Sequence, residues 1–354
     1  MIPLPNQQPM TIGTKKVGAT EPTYIIAEMS ANHHHDFDRA VDIVQAAAEA
    51  GADAVKLQTY TPDTMTLDCD KDLFKIEGTI WDGRTLYDLY EEAYTPWEWH
   101  ADLQEAAHDC GLDFFSTPFD PTAVAFLEEL EIPVYKLGSF ENVDLPLIRE
   151  IAGTGKPLIM STGMATLAEI DEAVRAFREA GGTALALLTC TSAYPSPPEE
   201  MRLRRVPHLA ETFDVVAGLS DHTHGITAPV AAVALGACII EKHFTITREE
   251  DGPDSSFSLE PEEFAAMVNA VRETEKALGT ATYGTKENES ESTAFRRSLF
   301  VVKNIQKGDP FTDENVRSIR PGHGLAPKYL PHVLGSTAAR NLERGTPLSW
   351  RDLH

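Results

Sequence analysis

The stretches Val215-Val216-Ala217-Gly218-Leu219-Ser220-Asp221-His222 and Cys238-Ile239-Ile240-Glu241-Lys242-His243 decide the fold. Each is a short apolar run that ends in polar, chemically capable side chains. Between them, residues 227–235 have helical spacing and stop at Gly236, a residue that accepts the left-handed conformation after a helix. Strand, helix and strand in that order form a βαβ unit, in which the two strands are parallel.

Working outward, the alternation recurs about eight times. Strands are expected at 24–28, 54–58, 112–116, 134–137, 157–161, 184–190, 215–219 and 238–242. Helices are expected at 37–50, 96–110, 121–130, 146–152, 167–180, 201–212, 227–235 and 261–278, the second opened by Pro96 at its first position. The strands are short and apolar, as suits a parallel sheet buried on both faces. Eight such units predict a (β/α)8 TIM barrel. No G-x-G-x-x-G follows the first strand, which removes the main signature of an open dinucleotide-binding sheet. Residues 10–17 are expected to form a short strand or hairpin closing the bottom of the barrel. Residues 59–95 form a long insertion rich in Asp, Tyr and Trp.

The organisation expected is a barrel over 1–280, a polar linker over 281–294 and a second, mostly β domain over 295–354. A core of about 60 residues is marginal alone, so the small domain should dock on something. Net charge over the 354 residues is −25, which argues against nucleic-acid partners and against an anionic membrane surface. Any anion site must therefore be locally basic. Cys69, Cys110, Cys190 and Cys238 are scattered without a C-x-x-C pair, as in a reducing compartment. With no signal-peptide pattern and no apolar run of transmembrane length, the expectation is a cytoplasmic, soluble protein.

In a barrel, C-terminal strand ends converge on one mouth, so polar residues there are candidates for chemistry. His222 and His243 end neighbouring strands, and two imidazoles at matching depth can hold one divalent cation; a lone strand-end histidine is usually just hydrogen-bonded. Such a pair with open positions suits Mn²⁺, Zn²⁺ or Fe²⁺ better than Ca²⁺. Lys56 and Lys136 also end apolar runs. They read either as rim lysines paired with carboxylates, or as anion binders or Schiff-base formers. Thr117, Ser139, Ser161 and Ser220 can donate to phosphate oxygens, although each alone reads as a turn residue. The run His33-His34-His35 is a weaker metal candidate, because adjacent loop residues point apart. Asp254 in Gly252-Pro253-Asp254 sits over the mouth or in a plain turn, and Arg320-Pro321-Gly322 is a rigid turn carrying a cation.

These motifs together resemble the sialic acid synthase family over nearly the whole chain. The carriers include Ile26-Ala27-Glu28, Asn32-His33, Lys56-Leu57-Gln58-Thr59, Ser116-Thr117-Pro118-Phe119, Tyr135-Lys136-Leu137-Gly138-Ser139, Ser161-Thr162-Gly163-Met164, Gly218-Leu219-Ser220-Asp221-His222-Thr223 and Glu241-Lys242-His243-Phe244. Glu28-Met29-Ser30-Ala31-Asn32-His33, Tyr60-Thr61-Pro62-Asp63-Thr64-Met65-Thr66 and Gly78-Thr79-Ile80-Trp81-Asp82-Gly83 look like the branch that makes pseudaminic acid. Cys190-Thr191-Ser192 departs from the sialic branch, which has Asn at the third position.

The resemblance implies a C-terminal antifreeze-like (SAF) domain and a homodimer in which each small domain caps the partner's barrel. It implies condensation of phosphoenolpyruvate (PEP) with 2,4-diacetamido-2,4,6-trideoxy-L-altrose, giving pseudaminic acid and phosphate by cleavage of the PEP C–O bond. A divalent metal on His222 and His243 would activate the sugar aldehyde, with Mn²⁺ first and Mg²⁺ or Co²⁺ as alternatives. Lys56, Thr117, Lys136, Ser139, Ser161 and Ser220 match positions that hold PEP, and Lys136 also counts as catalytic. Gln58, Tyr194, Asp254 and Arg320 match the sugar and metal region, Ser192 is expected to bind substrate there where the sialic branch has Asn, and Glu28 or Glu141 would manage protons. Alternatives are a synthase for N-acetylneuraminic or legionaminic acid, a non-catalytic sugar-binding module, and a metal-dependent barrel hydrolase or aldolase.

Overall fold

The computed structural model describes residues 9–250 and 252–354. The chain divides into two compact units between Gly279 and Thr280. In the first, eight parallel strands close into a barrel: β1 (Tyr24–Glu28), β2 (Ala54–Thr59), β3 (Asp113–Pro118), β4 (Tyr135–Leu137), β5 (Leu158–Ser161), β6 (Leu185–Cys190), β7 (Val216–Asp221) and β8 (Ile239–His243). They pair in chain order, and β8 closes on β1 with His243 opposite Glu28. This is the (β/α)8 barrel that the alternation predicts.

The helices α1 (Phe37–Glu49), α2 (His100–Asp109), α3 (Pro121–Glu129), α4 (Leu145–Gly153), α5 (Leu167–Glu179), α6 (Arg205–Phe213), α7 (Thr227–Ala234) and α8 (Pro261–Leu278) follow the strands in turn. Their starts are written locally. Asp120 accepts from the backbone N–H groups of Thr122 and Ala123 at 3.0 and 3.4 Å, with Pro121 in the first turn. Thr166 and Glu169 cap α5 reciprocally. The helix expected from Pro96 begins differently, as a 3₁₀ turn at Trp97–Trp99 before α2. The Pro96 carbonyl is taken by the Trp99 N–H at 3.1 Å and by the His100 imidazole at 3.2 Å, which tightens the first turn.

Met10–Ile12 and Lys15–Val17 pair antiparallel, with Ile12 and Val17 buried. Lys15 reaches the Asp53 carbonyl at 2.7 Å and the Asp113 carboxylate at 3.6 Å, beside the starts of β2 and β3. The hairpin therefore covers the bottom of the barrel, opposite the mouth. The C-terminal unit has its own core of Leu299, Val301, Phe311, Val316, Val333 and Leu348. Its strands β9 (Ser298–Val301) and β10 (Val316–Ile319) are antiparallel, and single bridges such as Ile305↔Leu342 tie in the turns. No helix among the described residues is long and apolar enough to cross a membrane.

Side chains alternate along β8, and this matters for the site. Lys242 is wholly buried and pairs with Asp221 at 2.5 Å, its register partner on β7. Lys242 also donates to the Thr223 carbonyl, and Asp221 accepts from the Thr223 N–H and hydroxyl at 3.0 and 3.1 Å. Burial draws the Lys242 ammonium below its usual value, against the pull of Asp221. With Lys242 committed to this pair, Glu241 and His243 take the opposite face of the strand. Removing one partner strands a buried charge, so Lys242→Met is expected to lower unfolding stability by about 3–5 kcal/mol. Urea denaturation of the single and the Asp221→Asn/Lys242→Met double variant checks this; the double should lose less than the sum.

Candidate active site

Four buried charged side chains meet inside the mouth. Lys56 on β2 lies 2.5 Å from the Glu28 carboxylate on β1 and 3.8 Å from Glu241 Oε1 on β8. Lys136 on β4 lies 3.8 Å from the same Glu241 oxygen. Hydroxyls complete the floor: Lys56 donates to Thr117 at 3.1 Å, Lys136 donates to Ser161 at 2.8 Å, and Ser220 donates to Glu241 at 3.2 Å. Lys136 donates again to the Leu137 carbonyl at 2.9 Å. Gln58 uses its amide to bridge Glu28 at 3.0 Å and Ser30 at 2.9 Å.

The electrostatics follow from burial in competition with these neighbours. Burial pulls the Lys56 ammonium down, but the carboxylates of Glu241 and Glu28 outweigh it and leave the value raised. At Lys136 burial prevails and the value is lowered, despite Glu241. Burial pushes Glu241 up, but the two lysines prevail and hold it below the usual carboxylate range. Glu28 is raised, first by burial and further by the charge on Glu241, against Lys56. Two ammonium groups thus share one firmly ionised carboxylate. Glu241 received no role from the sequence, although its two-residue spacing from His243 puts both on one strand face.

The two histidines face each other with ring centroids 5.3 Å apart. His222 Nδ1 donates to the Thr191 carbonyl at 2.9 Å, so in the neutral ring Nε2 is the nitrogen that carries the lone pair. Cys190 Sγ lies 3.9 Å from the same Nδ1. Burial draws the His222 imidazole down, but Cys190 and the Thr191 carbonyl prevail and raise it. His243 is pushed well below its usual value by burial, then by His222 and the lysines, so it is neutral. His243 Nδ1 is buried without a hydrogen-bond partner, 3.8 Å from Asp254 Oδ2. Asp254 itself accepts from Ser30. Two facing imidazoles, one oriented by a carbonyl and one with an unpartnered nitrogen, fit a borderline divalent cation. Among the described residues no group of three or more His, Cys, Asp or Glu stands ready to hold a metal.

The remaining candidates border these groups. Gly163 N–H donates to Ser139 Oγ at 3.0 Å. A Cβ on Gly163 would stand 2.3 Å from Ser192 Oγ and 2.7 Å from Ser139 Oγ, so only glycine lets the two hydroxyls converge. The Tyr194 ring lies 4.3 Å from His222 and 5.2 Å from Phe257. Glu141 sits in the turn Phe140–Val143 with Oε2 buried and unpartnered, and burial pushes its carboxyl up to about 7. His33 is held outside this group, hydrogen-bonded to Thr95 at 3.1 Å. Arg320 is exposed on the C-terminal unit, just after β10.

A parallel barrel with lysines, carboxylates, hydroxyls and an imidazole pair at its C-terminal strand ends has the architecture of a barrel enzyme for an anionic substrate. Residues 43–283 match the NeuB family and residues 296–354 match the SAF domain, so the chain belongs to the NeuB family, as its motifs anticipate. It is 46% identical to the pseudaminic acid synthase of Campylobacter jejuni over 93% of this chain and 96% of that protein. It is 45% identical to the pseudaminic acid synthase of Helicobacter pylori, over 94% and 98%. The N-acetylneuraminic acid (sialic acid) synthetase structure from Leptospira borgpetersenii matches with a TM-score of 0.73 at 31% identity, covering 81% of this chain and 95% of that one.

Glu141 yields a pH test. Its folded value lies above the ordinary 4.5, so between about 4.5 and 7 the folded protein keeps a proton that the unfolded chain has released. Its contribution is therefore complete below that window and is lost as pH rises through it. Glu141→Gln removes the titration. The variant is expected to match wild type near pH 4 and to exceed it near pH 8 by on the order of 2 kcal/mol, allowing for partial solvent screening. Urea midpoints at the two pH values measure the difference.

Proposed function

We propose that this chain condenses PEP with 2,4-diacetamido-2,4,6-trideoxy-L-altrose to give pseudaminic acid and phosphate. The observation that carries the reading is the pair of buried ammonium groups sharing one oxygen of Glu241, beside the two facing imidazoles. Lys56 and Lys136, with the hydroxyls of Thr117, Ser139, Ser161 and Ser220, bind the phosphate and carboxylate of PEP. Their ammonium groups and the hydroxyl donors give an anion a local attraction inside an acidic barrel. His222 and His243 would hold a divalent cation, Mn²⁺ first, which when bound supplies Lewis acidity to the sugar carbonyl.

The remaining steps belong to the protein's own residues. PEP C3 attacks the aldehyde carbon and leaves positive charge at C2, which the ionised Glu241 stabilises, while Glu28, raised by burial and by Glu241, is placed to hold or move a proton. Water adds at C2 and phosphate departs with C–O cleavage. Glu141, titrating at about 7, takes or returns a proton near neutral pH. Gln58, Ser192, Tyr194 and Asp254 line the sugar side.

We assign the reaction to the cytoplasm and to a homodimer. Residues 1–279 carry 19 Lys and Arg against 47 Asp and Glu, whereas residues 280–354 carry 11 against 8. That opposition of charge supports docking of the C-terminal unit of one protomer on the barrel of its partner, with Arg320 closing over the sugar.

Phosphate release with PEP, Mn²⁺ and each of several N-acetylated hexoses tests the reaction. Turnover is expected with the diacetamido-trideoxyhexose; turnover with N-acetylmannosamine alone overturns the choice of sugar. His222→Ala and His243→Ala should each abolish stimulation by Mn²⁺, and retention of full stimulation by either overturns the metal site. Lys136→Ala should cut kcat/KM for PEP by roughly 100- to 1,000-fold, as loss of one preorganised charge donor does.

A further inference from the structure

The insertion after β2 reaches the mouth through one side chain. Its tip is a tight loop, closed by the bridge Lys75↔Thr85 and by Ile76 N–H donating to the Arg84 carbonyl at 2.8 Å. Trp81 stands on that tip and is half-buried. Its indole N–H donates to the Pro253 carbonyl at 2.9 Å, in the turn that carries Asp254. Its ring lies 5.7 Å from Tyr194, tilted by 51°, and Tyr194 continues to His222 at 4.3 Å and His243 at 6.4 Å. Trp81 therefore touches both loops that frame the imidazole pair. The roots of the insertion are also fixed. His33 Nδ1 accepts from the His35 N–H at 3.0 Å, so its Nε2 donates to Thr95, and the Trp97 indole donates to the Tyr60 carbonyl at 3.0 Å.

An aromatic surface beside an otherwise charged and hydroxylated mouth calls for an apolar part of the ligand. The floor of lysines and hydroxyls is suited to phosphate and carboxylate, not to methyl groups. We propose that Trp81, together with Tyr194, determines sugar specificity by forming the wall that receives the acetamido methyl and the C6 methyl of a deoxygenated diacetamido hexose. This rests on the sugar assigned above. A fully hydroxylated, singly acetylated hexose presents fewer methyl groups to that wall and gains less from it.

Trp81→Ala and Trp81→Phe in the full-length protein test the proposal. With PEP and Mn²⁺ saturating, Trp81→Ala is expected to raise KM for the diacetamido sugar roughly tenfold or more, leaving KM for PEP within about twofold. The loss for N-acetylmannosamine should be smaller, so discrimination between the sugars falls by about tenfold. Trp81→Phe should restore most of it. An equal loss for both sugars means that Trp81 only fastens the loop, and that result, or no change at all, overturns the proposal. Calorimetric titration of each sugar without PEP reads the same discrimination as a ratio of Kd values. It separates the two ideas: absence of phosphate release refutes the reaction, whereas a Kd ratio that Trp81→Ala leaves unchanged, or wild type that binds neither sugar, refutes the wall.

Discussion

Lys242 and Asp221 form an ion pair with no solvent exposure, and the mouth of the barrel depends on it. The pair joins register partners on β7 and β8 and draws in the Thr223 carbonyl, N–H and hydroxyl. It thereby fixes the strand end that bears His243 and the loop that bears His222. Because side chains on a strand alternate, an outward Lys242 forces Glu241 and His243 inward. One residue of slippage would exchange those roles and empty the site of its carboxylate and imidazole together.

The second constraint is electrostatic. A barrel with 47 acidic and 19 basic side chains repels an anion at long range. Inside, two lysines and three hydroxyls surround one ionised carboxylate, and the low-dielectric walls make their short-range field count for more than the distant surface charge. The same burial raises Glu28 and Glu141, so the carboxylates of the mouth are split into an ionised one and reluctant ones. That split is what proton handling near neutral pH requires.

Much of this was readable along the chain. The eight apolar runs became eight barrel strands, and Lys136, Ser161, Ser220, His222 and His243 all lie at or just past strand ends; Lys56, expected at the end of its run, lies inside β2 because that strand continues to Thr59. The helix starts were legible because caps act over three or four residues. Glu241 was harder to interpret. Nothing local distinguishes it from an ordinary strand-end carboxylate, and only barrel closure sets it between lysines from β2 and β4. Trp81 belongs to a motif visible in the sequence, but its contacts with Tyr194 and Pro253 span more than 100 residues of sequence.

By itself, then, the sequence determined the barrel, the presence and order of its helices and the kinds of side chain offered at the mouth, while the starts of α2 and α6 moved by four residues. Hydrophobic periodicity and capping are local and survive in any window of the chain. The tertiary structure alone decided which of those side chains meet: the carboxylate oxygen shared by Lys56 and Lys136, the unpartnered nitrogen of His243, and the indole of Trp81 beside Tyr194. Those meetings depend on register and closure, which are properties of strands brought together from distant parts of the chain.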